Sequence, residues 1–440
     1  MNQTRSVLCI SVATFAALVA QPACARTAIR ELPVTTDAES VGLSTERLKR
    51  IDEIIQRHID DGKISGAVVA VARRGKLVKH EAYGLADVTT RAPMQKNALF
   101  QMYSSTKVVT AVAVLMLYEE GRIRLDDPVS RYIPEFKNPR VAVRKEGASG
   151  NAAPRTAGPP PEFDTVPATR DITVRDLMTH TSGLLSSYPQ RVGMVPPERA
   201  AGESLASYAR RLGSVPLDFQ PGTRWSYSAL AGSDVLAGLV EIISGKTFAQ
   251  FTQERIFAPL GMLDTSFNPP RSEVSRLLPV VRRVDNAWQR IPPERTSEAA
   301  MRNGTNVDQG AMGLAGTAHD YLLLHQMLLD KGVALNGERL LGMRTVELMA
   351  TNHVGDLYRG EGAYAKPMYG HGFGMHVQIV LDSINGDTGR SNGAFGWAGY
   401  LGTMGWTDPQ EQIAAVIMLQ QNVREVHIDY ERAIRQAIVD

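Results

Sequence analysis

The sequence predicts an α/β (α+β) fold: an antiparallel sheet flanked by helices, with an inserted, mostly helical domain. Three observations carry this. Short β-rich runs lie toward both ends of the chain, a long stretch of helical periodicity separates them, and no internal repeat divides the 440 residues. A chain this long exceeds one compact core and calls for two domains or one domain with a large insertion. Strand patterns at the ends and helix patterns between them favour a sheet built from both ends and covered by the terminal helices. The expected sheet domain is discontinuous, over residues 40–100 and 350–440, and the expected helical domain covers 101–349.

The first 25 residues read as a signal peptide. Arg5 gives a positive start, residues 7–20 form an apolar stretch too short to span a bilayer, and Ala23-Cys24-Ala25 is a small-x-small cleavage site. This predicts an exported, periplasmic or secreted protein with no stable membrane span after cleavage. Both cysteines, Cys9 and Cys24, fall in that segment. The mature chain would therefore hold no disulfide, no thiolate metal site and no cysteine nucleophile.

Residues 45–61 carry Leu48, Ile51, Ile54, Ile55 and Ile59 at helical spacing. GAVVAVARRG and KLVKHEAYG follow, with Arg74-Gly75-Lys76 between them as a hairpin turn. A long apolar helix is expected over residues 104–120, stopped by Gly121. Residues 137–170, rich in Gly, Pro, Ala and charge, read as an extended surface insertion, because periodic segments resume directly after it. Helical patterns cover 205–212, 233–244, 247–256 and 319–329; β patterns return from 369, and a last amphipathic helix is expected over 426–438.

The formal charge of +2 is close to balanced and points to neither nucleic acid nor an anionic membrane as partner. The nine histidines include no H-E-x-x-H, and His371 and His376, five apart on a β-like run, are expected on opposite faces. No metal and no cofactor is expected. His180 opens a turn-like His-Thr-Ser-Gly and reads as structural.

Three short elements carry chemistry. Ser104-Ser105-Thr106-Lys107 is the only S-x-x-K in the chain, and it opens the apolar helix. Positions i and i+3 share a helix face, so the Lys107 amine can reach the Ser104 hydroxyl. Unpaired N–H groups at a helix start favour an oxyanion there. Serine is a weak nucleophile and needs such help; the amine must be desolvated before it can act as a base. The second element is Pro221-Gly222-Thr223-Arg224-Trp225-Ser226-Tyr227-Ser228, a turn that delivers a tyrosine just before a helix. Tyr227 can relay the Ser104 proton, provided Lys107 lowers its phenol pKa. The third is Trp397-Ala398-Gly399-Tyr400 on a predicted strand. Gly399 would let backbone approach a substrate, and the Tyr400 N–H could join that of Ser104 in an oxyanion hole.

In order and spread, these elements resemble the S-x-x-K, Y-x-N, K-T-G signature of penicillin-recognising serine enzymes. The nearest likeness is to class C β-lactamases and the family VIII carboxylesterases, in which W-x-G or H-x-G commonly replaces K-T-G. His180-Thr181-Ser182-Gly183-Leu184, Gly310-Ala311-Met312-Gly313-Leu314 and Phe395-Gly396-Trp397-Ala398-Gly399 add to it, over about residues 45–422. The resemblance implies a β-lactamase/transpeptidase-like fold. It implies Ser104 as nucleophile, Lys107 as proton acceptor, Tyr227 as the tyrosine of Y-x-N, and Trp397, Gly399 and Tyr400 at the substrate strand. Two positions depart from it: Ala229 stands at the Asn of Y-x-N, and Trp397 at the Lys of K-T-G. Those two residues hold the amide and carboxylate of β-lactams. Their replacement favours a carboxylesterase acting on small acyl esters over a β-lactamase or D-Ala-D-Ala peptidase. A non-catalytic relative that keeps only the cleft is opposed by the intact Ser104, Lys107 and Tyr227. The oligomeric state is not legible.

Gly389-Arg390-Ser391-Asn392-Gly393 matches G-x-S-x-G, but it lies in a polar loop that leads into a strand, whereas a nucleophile elbow runs from strand to helix. Ser104→Ala is therefore expected to abolish hydrolysis of p-nitrophenyl butyrate and Ser391→Ala to leave it nearly intact. The reverse result overturns the assignment.

Overall fold

The computed structural model describes residues 31–145, 163–186, 197–200, 202–306, 308–358 and 369–440. The expected signal peptide, both cysteines and the centre of the 137–170 insertion lie outside them.

One eight-stranded antiparallel sheet organises the molecule. Its order is His371–Phe373, Gln378–Val380, Phe395–Ala398, Met404–Asp408, Ile413–Met418, Gly66–Arg73, Lys76–Asp87 and Ala92–Pro93. The N- and C-terminal halves of the chain meet at its centre, where Ala70 is paired with Val416. Every residue of Gly66–Arg73 is buried, because both faces of the strand are covered. Val68, Ala70 and Ala72, with Ala414, Val416 and Met418, face the helical part. The alternate residues Ala67, Val69 and Val71, with Ala415 and Ile417, face the terminal helices.

Those helices are Thr45–Asp60 and Arg424–Ala437. The first starts where the Ser44 side chain accepts from the Arg47 N–H, and it buries Leu48, Ile51 and Ile55 at positions i, i+3 and i+7. The second buries Val426, Tyr430, Ala433, Ile434 and Ala437; the Tyr430 hydroxyl donates to the carbonyls of Ala70 and Val416.

On the other face the helix Thr106–Glu119 is buried continuously from Thr106 to Leu117, as expected of a helix apolar all round. It packs chiefly against Ala231–Ser244, with further contacts to Met343–Met349 and Phe395–Ala398. The expected start at residue 104 is corrected: Tyr103–Ser105 is a 3₁₀ turn, and regular α-helix begins at Thr106. The ends of the 137–170 segment pair as a hairpin, Arg140–Arg144 with Phe163–Pro167, so an insertion here leaves the flanking elements together. A second hairpin, Val281–Val284 with Ala287–Arg290, lies where no strand is predicted. Its short, largely polar strands carry little apolar alternation to signal it. Among the described residues no helix is long and apolar enough to cross a membrane.

Trp406 is 1 % exposed between the sheet and the terminal helices. Trp406→Ala should cost about 3–5 kcal/mol of stability, read as a lowered urea midpoint at unchanged slope. A loss below about 1 kcal/mol would mean that this layer is not packed as described.

Candidate active site

The approach to Ser104 is fixed before the helix begins. Strand Phe100–Gln101 pairs with Ala315–Gly316, and the Met102 N–H donates to the Leu314 carbonyl at 2.8 Å. Tyr103 then adopts φ 45°, a left-handed conformation that a bulky residue rarely holds. Such backbone is retained where the surroundings over-determine it. Here the Met102 carbonyl accepts from the Ser105 N–H at 3.1 Å and from the Thr403 hydroxyl at 2.9 Å, pinning the turn to the sheet.

Lys107 is fully buried one turn on. Its Nζ donates to the carbonyls of Ala229, at 2.7 Å, and Ala311, at 3.0 Å, and lies 3.2 Å from Ser104 Oγ. A neutral amine has two N–H bonds and one lone pair. The two carbonyls take the N–H bonds, which leaves the lone pair for the Ser104 hydroxyl. Burial draws the Lys107 amine down to about 7, with the Asp234 charge pulling the other way.

Tyr227 approaches Ser104 from the loop before Ala231–Ser244, and its hydroxyl donates to Ser104 Oγ at 2.8 Å. The Lys107 amine lies 5.1 Å from the centre of the phenol ring. A relay of the Ser104 proton through Tyr227 requires a lowered phenol, and here the phenol is raised. Burial pushes Tyr227 up to about 12, while its bond with Ser104 pulls the other way. Near neutral pH Tyr227 therefore keeps its proton, while burial draws the Lys107 amine toward its neutral form.

His180 orders the tyrosine loop. It sits at φ 58°, its carbonyl accepts from the Ser226 N–H at 3.0 Å, and its Nδ1 accepts from the Ser228 N–H at 3.3 Å. Its ring lies 4.7 Å from that of Tyr227 and 4.9 Å from that of His376. Burial holds both histidines neutral, with His376 down to about 3. His376 does not share a strand with His371. It occupies the turn between His371–Phe373 and Gln378–Val380, at φ 57°.

The strand triplet forms the opposite wall. Trp397 packs 5.5 Å from Tyr227 and edge-on to Phe373. A Cβ on Gly399 would sit 2.3 Å from the Met102 carbonyl oxygen and 2.3 Å from Thr403 Oγ1. The close approach served by Gly399 is therefore to the turn that carries Ser104, rather than to substrate. Tyr400 follows, 68 % exposed, with its ring 6.0 Å from that of Tyr103. Among the described residues neither the Ser104 N–H nor the Tyr400 N–H has a hydrogen-bond partner. Ser104, Tyr227, Trp397, Gly399 and Tyr400 all line one cavity of about 780 Å³. Ser391 does not line it; its N–H is tied to Asp408 at 2.8 Å. Among the described residues no group of His, Cys, Asp or Glu is arranged to hold a metal ion.

The family model of β-lactamase matches residues 51–438. The chain belongs to the β-lactamase family. It is similar to the Mycobacterium tuberculosis (strain ATCC 25618 / H37Rv) protein Rv1367c, with 32% identity over 378 residues, 83% of this chain and 88% of that protein. It is also similar to the esterase EstB of Burkholderia gladioli, with 34% identity over 225 residues, 50% of this chain and 51% of that one. Among solved structures, EstCE1, described as a hydrolase with promiscuous acyltransferase activity, superposes with a TM-score of 0.71 at 25% identity. That match covers 90% of this chain and 99% of the other. The β-lactamase/transpeptidase-like fold expected from the motifs is thus the one observed, and the protein is a serine hydrolase of this family.

Sequence reasoning missed Asp234, which is buried beside Ala311. An acidic residue in the first turn of an amphipathic helix reads as an ordinary dipole partner. The signal that could have found it is its place on the helix that Tyr227 precedes.

Because the amine must be neutral to accept a proton, kcat/KM should rise with pH through about 7 as Lys107 deprotonates. A profile that is flat from about pH 5 to about 9 removes Lys107 as the base.

Proposed function

We propose that this hydrolase is a carboxylesterase acting on small acyl esters through an acyl-enzyme on Ser104. The observation that carries the proposal is the pairing at Ser104 Oγ: Lys107 Nζ at 3.2 Å and Tyr227 Oη at 2.8 Å. Neutral Lys107 takes the Ser104 proton as Oγ bonds to the ester carbonyl carbon. The carbonyl oxygen, now negative, is held by the Ser104 and Tyr400 N–H groups. As the intermediate collapses, Tyr227 gives its proton to the departing alkoxide and recovers one from the Lys107 ammonium. Water then attacks the acyl carbon and loses its proton to Lys107, which passes it to Ser104 Oγ as the acid leaves. An exported location, read from Arg5, residues 7–20 and Ala23-Cys24-Ala25, belongs to the same proposal.

Three observations support an ester over a β-lactam. Ala229 contributes a main-chain carbonyl to Lys107 and has no side-chain amide to offer a substrate. Trp397 supplies an uncharged indole where a cation would hold a carboxylate. EstB is named an esterase and EstCE1 a hydrolase. A site that lacks polar partners loses discrimination for the substrate that needs them. On purified protein, kcat/KM for p-nitrophenyl butyrate should exceed that for nitrocefin by roughly two orders of magnitude or more, since each missing polar contact costs a few kcal/mol. Faster turnover of nitrocefin replaces this reading with a β-lactamase.

A further inference from the structure

Among the buried carboxylates that the mechanism above leaves unused, Asp234 reaches the surroundings of Lys107. Asp234 lies in the first turn of Ala231–Ser244, 4 % exposed, and its Oδ1 accepts from the Ala311 N–H at 3.2 Å. The other side of that residue, the Ala311 carbonyl, accepts from Lys107 Nζ at 3.0 Å. The preceding carbonyl, of Gly310, accepts from the Thr110 hydroxyl at 2.6 Å, on the same helix as Lys107. The segment has no slack against the helix that carries Asp234: a Cβ on Gly310 would lie 2.0 Å from the Ser233 carbonyl oxygen.

We propose that Asp234 is a positioning residue for Lys107. It fixes the Ala311 carbonyl on which the amine hangs, and its charge sets how readily the amine gives up its proton. The proposal rests on the acyl-transfer reading and extends it to a residue that touches neither substrate nor Ser104.

Other charged and titratable groups face the pair from several sides. Around Lys107 stand Tyr227, His180 and His376; all three are neutral near pH 7, the histidines because burial and the nearby amine both oppose their protonation. Around Asp234 stand Tyr208 and Arg199, the latter paired with Asp308 at 3.3 Å. Burial raises the Asp234 carboxyl to about 6, while the Ala311 N–H, Lys107 and Arg199 oppose that rise. The carboxylate in turn favours the ammonium form of Lys107. Removing its charge should therefore lower the Lys107 pKa and carry the acid limb of nucleophile activation to lower pH.

The rate at which a fluorophosphonate inactivates Ser104, measured against pH, reads that limb whatever the natural ester is. Asp234→Asn keeps an oxygen acceptor for the Ala311 N–H and removes only the charge; Asp234→Ala removes both. The Asn variant should shift the limb down by about half a pH unit or more, with its plateau near wild type. The Ala variant should shift it the same way and lower the plateau by about tenfold, as for a misplaced proton-transfer group. Because both variants lose the charge, either folded one suffices. A limb that stays in place overturns the proposal. So does one that moves up, the result expected if the substitution merely loosens packing and lets water restore the ordinary amine. Wild-type protein that does not react at all overturns the acyl-transfer reading itself, and this proposal with it.

Discussion

A lysine amine in water keeps its proton at neutral pH and is useless as a base. In this protein burial takes water away from one such amine. Lys107 is 0 % exposed, and burial brings it down to about 7. Against its ordinary value that displacement corresponds to roughly 5 kcal/mol of disfavoured charge. Folding withstands it because the helix carrying Lys107 is apolar around its whole circumference and sits at the centre of the larger core. The polar needs of the amine are met by two carbonyls rather than by a carboxylate partner, so burial is not cancelled by an ion pair.

The rest of the site serves that placement. The sheet joins the two ends of the chain, and its strand Phe395–Ala398 can pass close to the Ser104 turn because Gly399 carries no Cβ. The loop bearing Tyr227 is held against the same turn by His180, whose left-handed backbone and ring nitrogen each serve one of its N–H groups. Trp225, Tyr358, Phe373 and Trp397 pack with Tyr227 into an aromatic wall. That wall holds the phenol above its ordinary range and leaves it a donor. Burial thus acts on the two groups in opposite ways: it disfavours the charge on Lys107 and keeps the proton on Tyr227.

Much of the fold was legible. The apolar spacing of Leu48, Ile51 and Ile55, the unbroken apolar run after Lys107 and the β patterns near both ends are local signals, and each became the element it implied. Failures came where local signals are weak or contested. The pattern placed Ser104 at the start of an α-helix, but a left-handed Tyr103 and the hydrogen bonds from Ser105 and Thr403 to the Met102 carbonyl make a tighter turn there. The hairpin at Val281–Arg290 has little alternation to read. His371 and His376 look like neighbours on one strand, and a hairpin turn separates them.

The sequence by itself determined which side chains can act and which near neighbours they have. Ser104 and Lys107 are three residues apart on an apolar segment, so their meeting needs only local geometry. Tyr227 was flagged by the turn that precedes it. Only the tertiary structure decided how the groups ionise. The carbonyls that hold Lys107 lie 122 and 204 positions along the chain, and the phenol that reaches Ser104 lies 123 positions away. Proton affinity follows from burial and hydrogen-bond partners, and both are properties of segments brought together from a distance. The same residues on a solvated surface would be an ordinary serine, a charged lysine and an idle tyrosine.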